Sequence, residues 1–150
     1  MKKIKFLVAA FIAVALSASC SSDDSEDLLG GDLTARWNQT KTIIKISEES
    51  FTQEYDSNEP GCDKDYIEFT DGGQLNDVIF FRNASDICTE DASTPQTYTR
   101  TDNTLVISGG EFGGTYEIIR LTNSELRIQQ SSSSAGITTT TTVYFSKAAM

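Results

Sequence analysis

Residues 66–81 read Tyr66-Ile67-Glu68-Phe69-Thr70-Asp71-Gly72-Gly73-Gln74-Leu75-Asn76-Asp77-Val78-Ile79-Phe80-Phe81, and this stretch decides the fold class. Tyr66 to Thr70 alternates, placing Ile67 and Phe69 together, because successive side chains of a strand point to opposite faces. Asp71-Gly72-Gly73 is a turn signal, since glycine reaches positive φ without steric cost. Gln74 to Phe81 then resumes as a strand, apolar at its end. Strand, turn and strand make a β-hairpin.

The same alternation continues on both sides. Trp37 to Ile46 is rich in Thr and Ile, and Ser50 to Tyr55 places Phe51, Gln53 and Tyr55 on one face. Downstream, Gln96 to Thr101 and Thr104 to Ser108 flank Asp102-Asn103, a two-residue hairpin turn. Gly109-Gly110 and Gly113-Gly114 bracket a loop around Phe112. Thr115 to Leu121 and Glu125 to Gln130 flank Thr122-Asn123-Ser124. Ile137 to Ser146 is almost entirely Thr, Val, Tyr and Phe, residues whose branched or aromatic side chains pack well on a pleated surface. Regular short strands with Gly, Asn and Asp turns predict an all-β sandwich or barrel. Ser131–Ser134 is expected to be a hairpin loop, and Thr138–Thr142 one face of a closing strand. Only Asp23–Leu29 and Ser85–Thr89 have room for a helical turn.

The first twenty residues are of another kind. Lys2, Lys3 and Lys5 precede an uncharged apolar run from Phe6 to Leu16, and Ser17-Ala18-Ser19-Cys20 follows. A positive start, a short apolar run and small residues at the exit are the parts of a secretory signal peptide. The run is too short for a transmembrane helix, which needs about 20 residues. Leu16-Ser17-Ala18-Ser19-Cys20 resembles the lipobox of bacterial lipoproteins, with the leucine four residues before the cysteine instead of three. Residues 1–19 are therefore expected to be removed and Cys20 to carry the lipid that holds the protein to a membrane; ordinary secretion is the alternative. Residues 20–30 follow as an acidic tether. Ser21 to Asp27 holds four acids and no apolar residue, so it cannot bury surface and should be disordered. Cys20-Ser21-Ser22-Asp23-Asp24-Ser25-Glu26 resembles the acidic export signals of some Gram-negative lipoproteins. That implies the outer membrane and its cell-surface face, with the periplasmic leaflet as the alternative.

Composition excludes several functions. The formal charge is −10. Removing Lys2, Lys3 and Lys5 leaves 9 basic residues against 22 acidic ones, a charge of −13. Nucleic acid is then a poor partner, because phosphate binding needs clustered Lys and Arg. Residues 31–150 suffice for one domain with a single core. The chain has no histidine, which removes the commonest general base and metal ligand. No Gly-rich loop precedes a helix, so there is no phosphate cradle of the usual kind. Asp63, Asp65 and Glu68 are the nearest thing to a carboxylate cluster. Asp65 and Glu68 fall on opposite strand faces by parity, which argues against shared catalysis. No full calcium ligand set accompanies Asp63 and Asp65, and a solvated hairpin end is the expected role. No enzyme activity, cofactor or metal is expected.

Three cysteines are present. With Cys20 taken by lipid, Cys62 and Cys88 remain as an even pair in an exported domain, where the oxidising compartment favours a disulfide. Two free buried thiols are the alternative.

The order of motifs carries a family resemblance. Leu33-Thr34-Ala35-Arg36-Trp37 opens the domain, and Cys62-Asp63-Lys64-Asp65-Tyr66 leads into the hairpin quoted above. Cys88, Tyr98 to Leu105, Tyr116 to Leu126 and a final Tyr144-Phe145 follow. Together they resemble the lipocalin-like domain of small bacterial lipoproteins, over residues 28 to 147. Members open with Gly-x-Trp; here Ala35 stands for the glycine and Trp37 matches the tryptophan. The resemblance implies an antiparallel up-and-down barrel of about eight strands, with Trp37 packed structurally across its closed base. Closure pairs the strand from Trp37 with the strand from Ile137, sparing two Thr-rich edges that would invite aggregation. Trp37 is then expected near Tyr144 and Phe145.

Two functions fit these features. The first is a barrel whose interior binds a small, partly apolar ligand, lined by Phe51, Tyr55, Ile67, Phe69, Tyr98, Tyr116 and Phe145. The same aromatics would equally serve as core filling. The second is an accessory surface domain that docks onto an envelope complex or glycan through exposed loop aromatics such as Phe112.

Overall fold

The computed structural model describes residues 28–149. The expected signal peptide, Cys20 and the acidic run Ser21–Asp27 lie outside the described residues. Ten strands form: β1 (Arg36–Ile46), β2 (Glu49–Glu54), β3 (Tyr66–Phe69), β4 (Gln74–Arg82), β5 (Cys88–Ala92), β6 (Gln96–Thr101), β7 (Thr104–Ile107), β8 (Gly114–Leu121), β9 (Glu125–Ser134) and β10 (Ile137–Lys147). Every pairing is antiparallel. The predicted hairpins are present: Phe69 pairs with Leu75 across the Asp71-Gly72-Gly73 turn, and Thr101 with Thr104 across Asp102-Asn103.

Eight strands close a barrel in the order β10-β9-β8-β7-β6-β4-β3-β1, and β1 returns to β10 from Trp37↔Lys147 to Ile46↔Thr139. The expected closure is thus the one observed. A bulge between Gln39 and Lys41, and another between Ile118 and Arg120, each insert one residue and re-aim the following side chains.

β2 and β5 stand outside the ring. β1 meets β3 only at Arg36 and Trp37, then pairs with β2 from Lys41 to Ile46. Likewise β4 meets β6 only at Gln74 and Leu75, then pairs with β5 from Val78 to Arg82. One end of the barrel therefore opens into two arms, one made of β9, β10, β1 and β2 and the other of β4 and β5. The opposite end is the closed base.

Trp37 lies at that base and is 0 % exposed. Its indole N–H donates to the Leu33 carbonyl at 3.0 Å, so the polar tip of a large apolar side chain is satisfied where it is buried. Ile67, Phe69, Leu75, Leu105, Ile118, Leu121, Leu126, Ile128 and Phe145 belong to the same buried core. The segment ahead of β1 is sewn to the base: the Gly31 amide donates to the Leu121 carbonyl at 2.8 Å. Gly31 fits there because a Cβ would meet the Thr122 carbonyl oxygen at 2.6 Å. The Tyr98 hydroxyl donates to the Thr70 carbonyl at 2.8 Å, with its ring edge-on to Phe69.

Several expectations are corrected. Ser131–Ser134 is not a loop but the end of β9, and the turn is Ala135-Gly136, both at positive φ. Thr138–Thr142 cannot share one face, because a strand alternates; Thr139 and Thr141 share the inward row with Val143, and the other three share the outer row with Tyr144. Ser85–Thr89 holds no helical turn. It is the β4–β5 hairpin turn and the start of β5, with the Asn83 side chain accepting from the Ser85 and Ile87 amides at 2.9 and 3.2 Å.

Candidate functional site

Strand parity carries the inward-facing rows of the barrel out along both arms. On β1, β2 and β10 the inward row beyond the core runs through Ile44, Ile46, Phe51 and Ile137; on β4 it runs through Ile79 and Phe81. Of the eight exposed large hydrophobic residues described, five belong to these rows: Ile46, Phe51, Ile79, Phe81 and Ile137, each 40–53 % exposed. Apolar side chains are usually left in water singly and scattered. Here they fall on the inward rows of the two arms at the open end.

A plug covers part of the core at this end. The loop between β7 and β8 folds back over the barrel, and Phe112 drops into it, 8 % exposed and 5.9 Å from the Phe145 ring. Phe112 is thus a core residue, not the exposed docking aromatic that the sequence suggested. Below it the interior is filled by side chains. Beside the plug is a small pocket of about 30 Å³ that reaches the core residues Trp37, Ile67 and Phe112 and is bordered by Gln39, Tyr55, Tyr66 and Ile79.

Three carboxylates complete that lining: Asp65, Asp77 and Glu111. Asp65 is 6 % exposed and is placed by its bonds, not by solvent. It accepts the Phe80 amide at 2.7 Å and the Tyr55 hydroxyl at 2.8 Å, while its own amide donates to Asn58 at 2.9 Å. The Phe80 amide lies beyond the last residue that pairs with β3, so Asp65 replaces a missing strand partner. The solvated hairpin end expected for Asp65 is corrected accordingly. Glu68 points the other way and pairs with Arg36 at 2.9 Å, which holds its carboxyl below the usual range.

Asp77 occupies an inward position between Leu75 and Ile79. Burial, then the negative charges of Glu111 and Asp65, hold its carboxyl above the usual carboxylate range. Burial and the bond to Asp65 push the Tyr55 hydroxyl well above its ordinary value. Among the described residues no Lys or Arg borders the pocket. The basic residues of the arms stand on the outer rows: Lys41 lies 5.1 Å from the Tyr144 ring, and Arg82 pairs with Asp86 at 3.2 Å. Among the described residues no group of acids or cysteines is close enough to hold a metal ion.

The candidate lining residues separate into two sets. Tyr55 and Ile67 border the pocket, and Phe51 stands exposed on the inward row of β2, outside the pocket lining. Phe69, Tyr98, Tyr116 and Phe145 belong to the packed core or rest against it, and none of the four borders the mouth pocket. Cys62 and Cys88 are bonded, with Cα atoms 5.6 Å apart, tying the 55–65 loop to the β4–β5 arm. Sequence reasoning missed Asp77, Ile79 and Glu111. For Asp77 a signal existed, an acid in the inward row Leu75-x-Asp77-x-Ile79-x-Phe81; Glu111 had none.

A closed eight-stranded antiparallel barrel whose leading tryptophan seals the base defines a lipocalin-like protein. Residues 32–128 match the family model of the lipocalin-like domain, and the chain belongs to that family. The closing strand β10 lies beyond the matched residues. No curated protein matches the chain.

Proposed function

We propose that this protein is a lipoprotein of the Gram-negative envelope, anchored through Cys20 in the outer membrane and probing the cell exterior, that binds a small, partly apolar ligand in the groove between its arms. One observation carries the binding reading: the exposed apolar residues collect on the inner rows of the open end. Because the Phe112 plug and filled core leave little enclosed room, the ligand lies in the groove instead of deep in the barrel. The anchoring reading rests on the signal-like start and Cys20 in the sequence. It gains a geometry from the base, where the first described residues pair with Leu121. A lipid upstream of residue 28 would set the closed end toward the membrane and the groove away from it.

Native mass spectrometry of the protein purified from its own membrane tests the binding reading. The expected result is a retained small molecule that a Phe51→Ser/Ile79→Ser double variant loses. Absence of any retained molecule, together with failure to take up apolar dyes, would refute it. The filled interior is what favours the second reading, an accessory domain docked on an envelope complex or glycan. That reading expects the intact protein to co-purify with such a partner and to bind no small molecule.

A further inference from the structure

We infer that the ligand of the groove is a cationic amphiphile, an amine or quaternary ammonium group on an apolar body, with the cation seated among Asp65, Asp77 and Glu111. This deepens the groove reading above and rests on it. Two independent features of the groove agree. Its walls carry the apolar side chains Ile44, Ile46, Phe51, Ile79 and Phe81 on the inward rows, set between uncharged polar ones such as Gln53, Thr139 and Thr141. Its charges have one sign, because beyond the core the described inward rows of both arms carry Glu49, Asp77 and Asp91 and no Lys or Arg. The basic side chains Lys41, Lys45 and Arg82 alternate with them on the outer rows, as the registers require. Such segregation leaves the groove a field that attracts cations and repels fatty acids and other anionic amphiphiles.

The floor sharpens the point. Asp65 spends its oxygens on Phe80 and Tyr55. Asp77 and Glu111 stand beside it with no basic residue in the lining. A carboxylate drawn out of water next to other carboxylates is costly unless a positive charge joins it. An ammonium group supplies that charge. Its apolar tail then lies along the walls and covers side chains that are otherwise 40–53 % exposed.

The test is calorimetric titration of the protein with two chains of equal length below their micelle concentrations, dodecyltrimethylammonium and dodecanoate, at neutral pH. Dodecyltrimethylammonium should bind at least tenfold more tightly than dodecanoate. Asp77→Asn and Glu111→Gln should each weaken the cation about tenfold while leaving or improving dodecanoate. Glu117→Gln, which removes the same charge from the outside of the barrel, should leave both unchanged. Phe51→Ser should weaken both. Equal or tighter binding of dodecanoate, or loss of the cation in Glu117→Gln to the same extent, overturns the charge assignment while leaving the apolar groove standing. Binding of neither chain overturns the groove with it.

Discussion

Removal of the Cys62–Cys88 bond should weaken the protein by a definite amount and leave the barrel folded. The bridge spans a sequence separation of 26. In the chain-entropy treatment a loop of that length restricts the denatured ensemble by about 3.5 kcal/mol at 25 °C. Neither cysteine belongs to the core cluster, and the bond joins the 55–65 loop to the outer arm. That loop keeps other ties, through Asp65 to Phe80 and through Arg82 to the Pro60 carbonyl at 3.1 Å. A domain stabilised by roughly 5–15 kcal/mol survives such a loss. A Cys62→Ala/Cys88→Ala variant should therefore keep its far-UV spectrum at 25 °C. It should melt on the order of 10 °C lower and unfold in guanidinium with a steeper slope, because the uncrosslinked chain exposes more surface. Hydrogen exchange should quicken first at the Phe80 amide. An unchanged midpoint would refute the entropic reasoning. A variant unfolded at 25 °C would refute the view that the bond is peripheral to the barrel.

Trp37→Ala should cost about 3–5 kcal/mol, read from circular-dichroism melts, since it empties the base and strands the Leu33 carbonyl; an unshifted melt would remove Trp37 from its structural role. Asp65→Ala should cost about 2–3 kcal/mol by leaving the Phe80 amide and Tyr55 hydroxyl without their acceptor, and Tyr55→Phe made in that background should recover part of it. Asp77 carries a raised folded-state pKa, so its contribution is full below the ordinary carboxylate range and is lost as pH rises through the raised value. Asp77→Asn should accordingly flatten the decline and raise stability at pH 7, and denaturant titrations across pH 4–8 that overlay the parent protein would contradict this. Cys20→Ala should abolish palmitate labelling; a labelled variant would end the lipoprotein reading.

The turns were legible because each depends on a few adjacent residues. Asp71-Gly72-Gly73 and Asp102-Asn103 state their backbone conformation locally, and Asp102 does take positive φ. The cysteine pair was legible from compartment and count. β5 was not, since Cys88–Ala92 is acidic, short and mostly exposed, and pairs only because Val78–Arg82 offers it an edge. The serines after Gln130 read as a loop, yet they extend β9 because each faces a residue of β10 that already needs a partner; Ser131 and Ser133 share hydroxyl bonds with Thr140 and Thr138. Asp65 was misplaced because its neighbours Tyr55 and Phe80 lie 10 and 15 residues away. The carboxylate floor was beyond sequence reading for the same reason, being assembled from three separate segments.

β2 and β5 also bear on how copies of the protein meet. Closing a barrel normally leaves no strand edge free, but each outer strand here reopens one, with a row of backbone donors and acceptors turned outward. Both edges are short and acidic: β2 carries Glu49 and Glu54, and β5 carries Glu90 and Asp91. Two molecules approaching edge to edge would bring like charges together before any backbone bond could form. This protection acts through the solvent, and salt screens it over a distance of about 8–10 Å at ordinary ionic strength. Edge-to-edge association of two copies is then set by the ionic surroundings as much as by the fold.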